Sequence, residues 1–367
     1  MKGFHLVRRT NVKLWQRILF YVIGILVSLV IGAILLSTLD IDPIKYYRQM
    51  MTIGLIGNKY PEKAIEGLLK IFVPLLIVSL ALSLSYRMKF WNVGGEGEFI
   101  VGAIIAAVIA FKCSSLPGPL VILLMSLAAF IASGLIGLAV AFLKVKFNTN
   151  ETLVTLMINY IALYVITYIA DTKKSWNFFL DKESARPKFA KFPDPAKMPG
   201  IKIGNVNLLY SVIIALALGV IIYFYLKSTK QGYEISVVGD STDTARYAGM
   251  NVGRIVMRTV FLSAALVGMA GAFSASTAAT ISTSITNNVG WTGVIVAWLS
   301  KLSTPGIAVV SLLISVLQYG CQAASVSYGS VDHNFADLLQ GVILFSVLVA
   351  DFALNFRIVR RKEADNV

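Results

Sequence analysis

The chain has 367 residues, of which 57% are hydrophobic and only 14% carry a charged side chain, and its mean hydropathy is +0.75. A soluble domain carries about 25% charged residues, so this composition argues against a soluble enzyme. The formal net charge of +14 does not indicate nucleic-acid binding, because the basic residues lie between long apolar runs, where membrane topology explains them.

Ten apolar segments follow one another along the chain and approach or reach the length of a membrane span. A hydrocarbon layer about 30 Å thick requires about 20 apolar residues in a helix, and a helix satisfies its own backbone polar groups in lipid. The sequence therefore predicts an all-α fold, a single transmembrane domain built as a bundle of about ten helices. The predicted spans are 18–39, 65–86, 97–112, 119–143, 152–170, 208–226, 256–278, 288–301, 305–323 and 336–356.

The two ends of the chain predict its orientation. The ten residues before the first span contain four basic residues, and no small-residue cleavage site ends the span, so we interpret it as a retained helix with a cytoplasmic amino end. Ten spans then place the carboxyl terminus in the cytoplasm as well, behind four more basic residues. The two groups are Arg8, Arg9, Lys13 and Arg17, and Arg357, Arg360, Arg361 and Lys362.

A short glycine motif occurs twice, before the third span and at the start of the eighth. Asn92-Val93-Gly94-Gly95-Glu96-Gly97 resembles Asn288-Val289-Gly290-Trp291-Thr292-Gly293, and each copy is followed by a short apolar stretch and a Ser-x-Pro-Gly turn. Because five spans separate the copies, the repeat is inverted about an axis in the membrane plane. Glycine-interrupted segments at matching places of inverted halves indicate a transport pathway.

Polar side chains within the predicted spans are the candidates for lining this pathway. Thr152, Thr155 and Asn159 form one polar stripe on the fifth span. Such a stripe either lines a pathway or makes hydrogen bonds between helices, and both interpretations stay open. We also expect Glu96 to tie the glycine-broken segment to neighbouring helices. The predicted pathway residues are Asn92, Glu96, Asn159, Trp291 and Thr292.

The segment 171–207 lies outside the membrane in this topology. It contains eight Lys or Arg residues, four Asp or Glu residues and four prolines. The positive-inside rule alone favours the opposite side, but moving the segment would require a span to be added or removed on each side of it. Because it is polar, Pro-rich and bracketed by aromatic residues, we expect it to rest on the bundle or on a partner.

The largest cytoplasmic loop in this topology, 227–254, contains a predicted short helix over Ser241–Ala248. Ser241 can cap its free amide groups, Asp243 suits its positive end, and Gly249 supplies the terminating turn. The helix is either a docking element for a soluble partner or a surface helix without one. Two glycines upstream predict bends, Gly232 and Gly239.

The sequence contains no catalytic or nucleotide-binding motif that we recognise. It lacks a G-x-x-x-x-G-K-[ST] phosphate loop, a G-x-S-x-G elbow and an H-E-x-x-H zinc motif. Its two cysteines and two histidines make neither a metal site nor a disulfide framework. We therefore expect no enzyme active site, no metal and no cofactor in this chain.

Three segments carry a resemblance to a known family. They are Asn92–Glu98, Asn150–Ala162, and the run from Gly232-Tyr233-Glu234 through Val237-Val238-Gly239 to Ala245-Arg246-Tyr247-Ala248-Gly249. Over nearly its whole length the chain resembles the permease subunits of bacterial ABC importers in the branched-chain amino acid, ribose and nucleoside group. The first two segments are most similar to the nucleoside (purine and related) permeases, although Glu98 stands where those permeases usually carry glutamine or a similar residue.

The resemblance implies a type II ABC importer fold in the bacterial cell membrane, surrounded by lipid. Two permease chains, often two different ones, would form the channel, and two cytoplasmic ATPases using ATP and magnesium would drive it. An extracytoplasmic substrate-binding lipoprotein would deliver the substrate to 171–207, and the loop 227–254 would couple the permease to the ATPase. The implied coupling residues are Gly232, Gly239, Ser241, Asp243, Arg246, Tyr247 and Gly249.

The expected function is thus nucleoside import, with three alternatives. Ribose or another small polar solute is the alternative substrate. An ion-coupled secondary carrier is the second class, which suits the inverted repeat and Glu96 but not the coupling-type loop. A receptor or scaffold without transport is the third class. A neighbouring ATPase gene, or substrate-dependent ATPase activity in a reconstituted complex, distinguishes among these classes.

Overall fold

The structure, a computed structural model, describes residues 4–8, 14–54, 60–327 and 334–360. In these ranges it consists of thirteen α-helices, four short strands and a 3-10 turn at Asp194–Ala196. The helices are α1 (Leu14–Thr38), α2 (Pro43–Gly54), α3 (Pro61–Arg87), α4 (Gly95–Lys112), α5 (Gly118–Phe147), α6 (Glu151–Asp171), α7 (Tyr210–Ser228), α8 (Lys230–Asp240), α9 (Thr242–Tyr247), α10 (Val252–Ala278), α11 (Val289–Leu299), α12 (Thr304–Ser327) and α13 (Asn334–Asn355). The strands are β1 (Phe4–Arg8), β2 (Gly200–Ile203), β3 (Val206–Leu209) and β4 (Phe356–Arg360).

Eight of the described helices, α1, α3, α5, α6, α7, α10, α12 and α13, are long and apolar enough to cross a membrane. The helices α4 and α11, which lie over the predicted third and eighth spans, are not among these eight. Helix α4 carries Glu96, Glu98 and Lys112, and α11 has only 11 residues. The predicted class, a polytopic all-α membrane protein, is confirmed, and α2 and α8 are helices that the sequence did not predict.

The chain divides into two compact units, Met1–Ala64 with Val316–Val367, and Ile65–Ser315. In the first unit, α1 packs against α13, and β1 pairs with β4 in antiparallel register. Tyr46 and Cys321 are fully buried in its core, and the amide of Gln318 donates a hydrogen bond of 2.6 Å to Gln340. This unit thus links the first helix of the chain to the last.

The second unit is built around α4, α5 and α10, which pack closely on one another. Small residues permit this approach, because a Cβ atom on Gly268 of α10 would lie only 2.8 Å from the carbonyl oxygen of Ala129. Hydroxyl groups add bonds between helices: Ser133 donates to the carbonyl of Glu98 at 2.8 Å, and Ser263 to that of Ala81 at 2.7 Å. The result is a tightly packed centre against which the glycine motifs lie.

The segment 171–207 rests on the second unit, one of the two arrangements expected from its composition. Its backbone bonds to the end of α10, because the amides of Phe192 and Met198 donate to the carbonyls of Ala279 and Ser276. Phe192 also packs edge-on against Phe111 of α4, with ring centroids 5.4 Å apart. Strands β2 and β3 form a two-stranded antiparallel hairpin that leads from this segment into α7.

Candidate functional site

The two copies of the glycine motif meet in the folded chain. Helix α4 begins at Gly95 in the first copy, and α11 begins at Val289 in the second. One oxygen of Glu96, Oε1, accepts hydrogen bonds from the backbone amides of Gly290 at 2.7 Å and Trp291 at 3.3 Å. The first amides of a helix have no partner within it, so this carboxylate caps α11 from another helix. Glu96 therefore ties the broken segment to a neighbouring helix, as expected.

Glycine is required where the two copies touch. A Cβ atom on Gly290 would lie 2.7 Å from the carbonyl carbon of Gly95 and 2.9 Å from the Cα of Glu96, closer than real Cβ contacts allow. Asn288, the residue before α11, has a left-handed backbone with φ of 58°, which turns the chain into this helix. In the second copy, the asparagine therefore turns the chain and the glycine permits the contact with the first copy.

The polar stripe of α6 faces the start of α4. The side-chain oxygen of Asn159 accepts from the amide of Gly97 at 2.8 Å, and its amide group donates to the carbonyl of Val93 at 2.9 Å. The hydroxyl of Thr155 accepts from the amide of Val93 at 3.3 Å. These side chains satisfy backbone groups that the glycine-broken segment leaves free, which favours the interhelical role for the stripe.

A second polar contact, between Asn92 and Glu98, was not predicted from the sequence. The amide group of Asn92 donates to Glu98 at 2.9 Å, and its oxygen accepts from the amide of Gly94 at 3.0 Å. The hydroxyl of Tyr86 donates to the backbone carbonyl of Asn92 at 2.7 Å. Glu98 therefore serves as the acceptor for Asn92 inside the bundle. The position of Glu98 near the start of α4 is the sequence feature that could have predicted this role.

The structure brings the five predicted pathway residues together around the starts of α4 and α11. The side chains of Asn92, Glu96, Asn159 and Thr292 are buried, whereas Trp291 is 42% exposed. For the first three, the polar groups are engaged in the contacts described above. A role of these five residues in lining a pathway stays a prediction.

Exposed aromatic rings flank the joint, which is the contact between the two glycine motifs at the starts of α4 and α11. These rings were not singled out from the sequence. Tyr160 and Tyr164 lie on the face of α6 opposite the buried stripe and are 61% and 69% exposed. On the other side, Trp91 stacks on Trp298 of α11 with centroids 5.1 Å apart. The spacing of Tyr160, Tyr164 and Tyr168, four residues apart along one helix, was the signal that could have identified the first group.

The predicted short helix in the loop 227–254 is present as α9. The hydroxyl oxygen of Ser241 accepts from the amide of Thr244 at 3.2 Å and so caps the helix, and Asp243 lies in its first turn. Gly249 has a φ of +75° and ends the turn that follows. Tyr247, the last residue of α9, is 98% exposed. An exposed aromatic ring of this kind is available to a protein partner.

The predicted bends at Gly232 and Gly239 are wrong, because both residues lie within α8. A Cβ atom on Gly239 would lie 3.0 Å from the carbonyl carbon of Arg87, and one on Gly232 would lie 2.6 Å from that of Leu226. These glycines therefore permit a close approach of α8 to α3 and to the end of α7. A glycine in a loop-like sequence predicts a turn only when no other helix packs against it.

A cavity of about 950 Å³ lies beside α8 and α9. Its charged lining residues are Lys89, Lys144, Glu151, Asp240 and Arg246, and Lys144 pairs with Glu151 at 2.8 Å. Helix α8 is joined to α10 by an ion pair of 3.0 Å between Glu234 and Arg258. In the described part of the chain, no group of three or more His, Cys, Asp or Glu residues could hold a metal ion.

Comparison with known proteins identifies relatives over most of the chain. It is 25% identical to the glucose ABC transporter permease protein TsgB13 of Haloferax volcanii, covering 95% of this chain and 92% of that protein. It is 26% identical to the guanosine permease NupP of Bacillus subtilis (94% and 97%) and 25% identical to the nucleoside permease NupB of Lactococcus lactis (91% of each). A further relative, the guanosine permease NupQ of Bacillus subtilis, is 28% identical over 56% of this chain and 65% of its own length.

The family assignment rests on a broader match. Residues 64–348 match the family model described as the permease component of branched-chain amino acid transport systems. That range covers most of the chain and includes both glycine motifs and helices α8 and α9. The chain therefore belongs to this family, and it is a multi-pass membrane permease subunit of an ABC importer.

Proposed function

We propose that this permease subunit imports nucleosides and that separate cytoplasmic ABC ATPases drive the transport. The main observation in support of ATP-driven transport is helix α9. A helix of six residues is too short to be stable alone, yet this one is capped by Ser241 and presents Tyr247 and Arg246 to solvent. An element built in this way on a loop is suited to seat in a cleft of a soluble partner.

The contacts of α8 provide a route from α9 into the bundle. Helix α8 leads directly into α9, and its Glu234 pairs with Arg258 of α10. Helix α10 in turn packs on α4 and α5. Movement of the ATPases, which use ATP and magnesium, would therefore shift α10 against the helices that carry the first glycine motif. The coupling residues would be Gly232, Gly239, Ser241, Asp243, Arg246, Tyr247 and Gly249.

The nucleoside substrate is supported by two relatives, NupP and NupB, which are named as guanosine and nucleoside permeases. A second candidate is a sugar, because TsgB13 is named as a glucose permease and is similar over as much of the chain. Five residues around the joint, Asn92, Glu96, Asn159, Trp291 and Thr292, would border the pathway. Trp291 alone of these offers an exposed side chain.

The complete transporter would contain partners on both sides of the bacterial cell membrane. An extracytoplasmic substrate-binding lipoprotein would dock on 171–207, and both termini of the chain would lie in the cytoplasm. A second, different permease would complete the channel, a suggestion supported by the two guanosine permeases NupP and NupQ of Bacillus subtilis. The ATPase site would belong to the partner, because this chain has no phosphate-loop motif.

Co-purification of the tagged chain from native membranes, with mass spectrometry and an ATPase assay, tests this function. We expect a second permease, an ATPase and a binding lipoprotein, with ATPase activity rising when a nucleoside is added. Stimulation of the ATPase activity by glucose but not by nucleosides would show that the substrate is a sugar and not a nucleoside. Isolation of the chain without any ATPase, together with ion-driven transport, would overturn the ATP-driven importer.

A further inference from the structure

Tyr160 and Tyr164 occupy an unusual position on α6. Tyr160 lies nine residues after Glu151 and eleven before Asp171, the ends of the helix. At 1.5 Å per residue, its Cα is about 14 Å from one end and about 16 Å from the other. With side chains 61% and 69% exposed, both tyrosines lie on the outside of the unit near the middle of a predicted span.

Hydrocarbon is a poor environment for these two side chains. Neither phenol hydroxyl makes a hydrogen bond within the part of the chain that the structure describes. A hydroxyl group without a partner in hydrocarbon costs several kcal/mol. Tyrosines that face lipid normally lie near the membrane surface. Tyr168, near the end of α6 and stacked on Trp176, fits that pattern, whereas Tyr160 and Tyr164 lie too deep for it.

The opposite face of α6 holds these tyrosines in place. Asn159, the residue next to Tyr160, bonds the backbone of both Val93 and Gly97 at the start of α4. The helix is therefore fixed against the joint of the two glycine motifs, and the tyrosine face points away from it. A side chain on such an anchored element can recognise a passing solute with a defined geometry.

The absence of charged residues from the membrane-spanning part of α6 restricts which solutes could pass along this face. Residues 152–170 contain no Asp, Glu, Lys or Arg. A charged solute would find no counter-charge on this helix within the span, whereas a nucleoside is neutral. Its base can stack on an aromatic ring, a contact worth about 1–3 kcal/mol per base in nucleic-acid complexes. Its ribose hydroxyls can exchange hydrogen bonds with phenol hydroxyls.

We propose that Tyr160 and Tyr164 line the route of a neutral nucleoside, stacking on its base and bonding its ribose hydroxyls. This inference rests on the proposed function for the identity of the solute, but the exposure of the face to water can be tested without it. The buried stripe of α6 would then support the route, while the opposite face contacts the solute.

Thiol labelling of the whole complex in native membranes tests the water exposure. Tyr160→Cys and Tyr164→Cys would be introduced after Cys113 and Cys321, the free cysteines, are changed to serine or alanine. The control is Leu216→Cys on α7, where the native side chain is 51% exposed. We expect a membrane-impermeant thiol reagent to label both tyrosine positions at least tenfold faster than position 216. Equal, slow labelling at all three positions would overturn the proposal.

Transport measurements then test the solute contact. In complexes with wild-type levels of the chain, we expect ATP-driven nucleoside uptake to fall about fivefold in Tyr164→Phe, which loses one hydrogen bond, and further in Tyr164→Leu. Leu216→Ala should retain uptake. Unchanged uptake in both Tyr164 variants would contradict the nucleoside contact. A wild-type complex that imports no nucleoside would instead overturn the proposed substrate. The labelling result would still show whether the face of α6 that carries Tyr160 and Tyr164 is exposed to water.

Discussion

The carboxylate of Glu96 accepts a hydrogen bond of 2.7 Å from the backbone amide of Gly290, although 194 residues separate the two in the sequence. This bond joins the two copies of the glycine motif at the starts of α4 and α11. Glu96, in the first turn of α4, therefore supplies the acceptor for the first amides of α11. Backbone groups left free by the broken helices are satisfied by side chains instead, which is the condition for irregular backbone within a membrane.

Removal of the Glu96 carboxylate should destabilise the permease. In Glu96→Ala the amides of Gly290 and Trp291 lose their acceptor, and each buried unpaired amide costs about 1–3 kcal/mol. Glu96→Gln keeps an acceptor oxygen and should retain most of the stability. Thermal unfolding of the purified complex measures both variants, and an alanine variant as stable as the wild type would show that the bond is dispensable.

A methyl group at Gly290 should also be poorly tolerated. Gly290→Ala would place a Cβ atom against the backbone of Gly95 and Glu96, and overpacking of this kind costs about 1–3 kcal/mol. The matched control is Gly341→Ala in α13, where an added Cβ atom meets no atom within 4 Å. We expect a lower thermal midpoint for the first variant only. Equal midpoints would contradict the close contact of the two motifs.

Asn159 and Tyr160 are adjacent in α6, but substitution of each by leucine should have different effects on stability and transport. Asn159→Leu removes bonds to Val93 and Gly97 and should lower the thermal stability by about 2 kcal/mol or more. Tyr160→Leu should leave the stability nearly unchanged and reduce transport. Paired unfolding and uptake assays separate these effects. If Asn159→Leu and Trp291→Ala left both stability and uptake intact, neither residue would belong to the pathway or its support.

Charge reversal on α9 should weaken association with the ATPase. Arg246 has an exposed side chain that pairs only loosely with Asp243, at 3.5 Å, so Arg246→Glu should leave the bundle folded. The control is Lys202→Glu on strand β2, in the segment expected on the opposite side of the membrane. Quantitative co-purification should show several-fold less ATPase with the first variant. Equal loss in both variants, or none in either, would argue against α9 as the coupling element.

The sequence was sufficient to predict the long apolar helices and the correspondence of the two glycine motifs, but not α2 or α8. Long apolar runs predict helices because lipid leaves no other way to satisfy the backbone. A repeated motif, however, shows only that two segments occupy equivalent positions in a repeat. It gives no information about the distance between them in the folded chain. The contact of Glu96 with Gly290 therefore had to come from the structure.

Some local predictions failed because tertiary packing decides them. The bends expected at Gly232 and Gly239 are absent, since both glycines serve close packing of α8. Polar residues at helical spacing, Thr155 and Asn159, were consistent with either a pathway or bonds between helices, and the structure shows bonds to the start of α4. Polarity alone does not distinguish a side chain that caps a broken helix from one that meets a solute. The exposed rings of α6 became visible only once its buried face was known.

The measurement that tests the central claim most directly is nucleoside uptake by the purified complex in proteoliposomes. We expect labelled nucleoside to accumulate only when ATP, the ATPase and the binding protein are present, and uptake to persist after the proton and sodium gradients are collapsed. Uptake by the permease alone that follows an ion gradient and ignores ATP would contradict an ATP-driven importer and identify a secondary carrier.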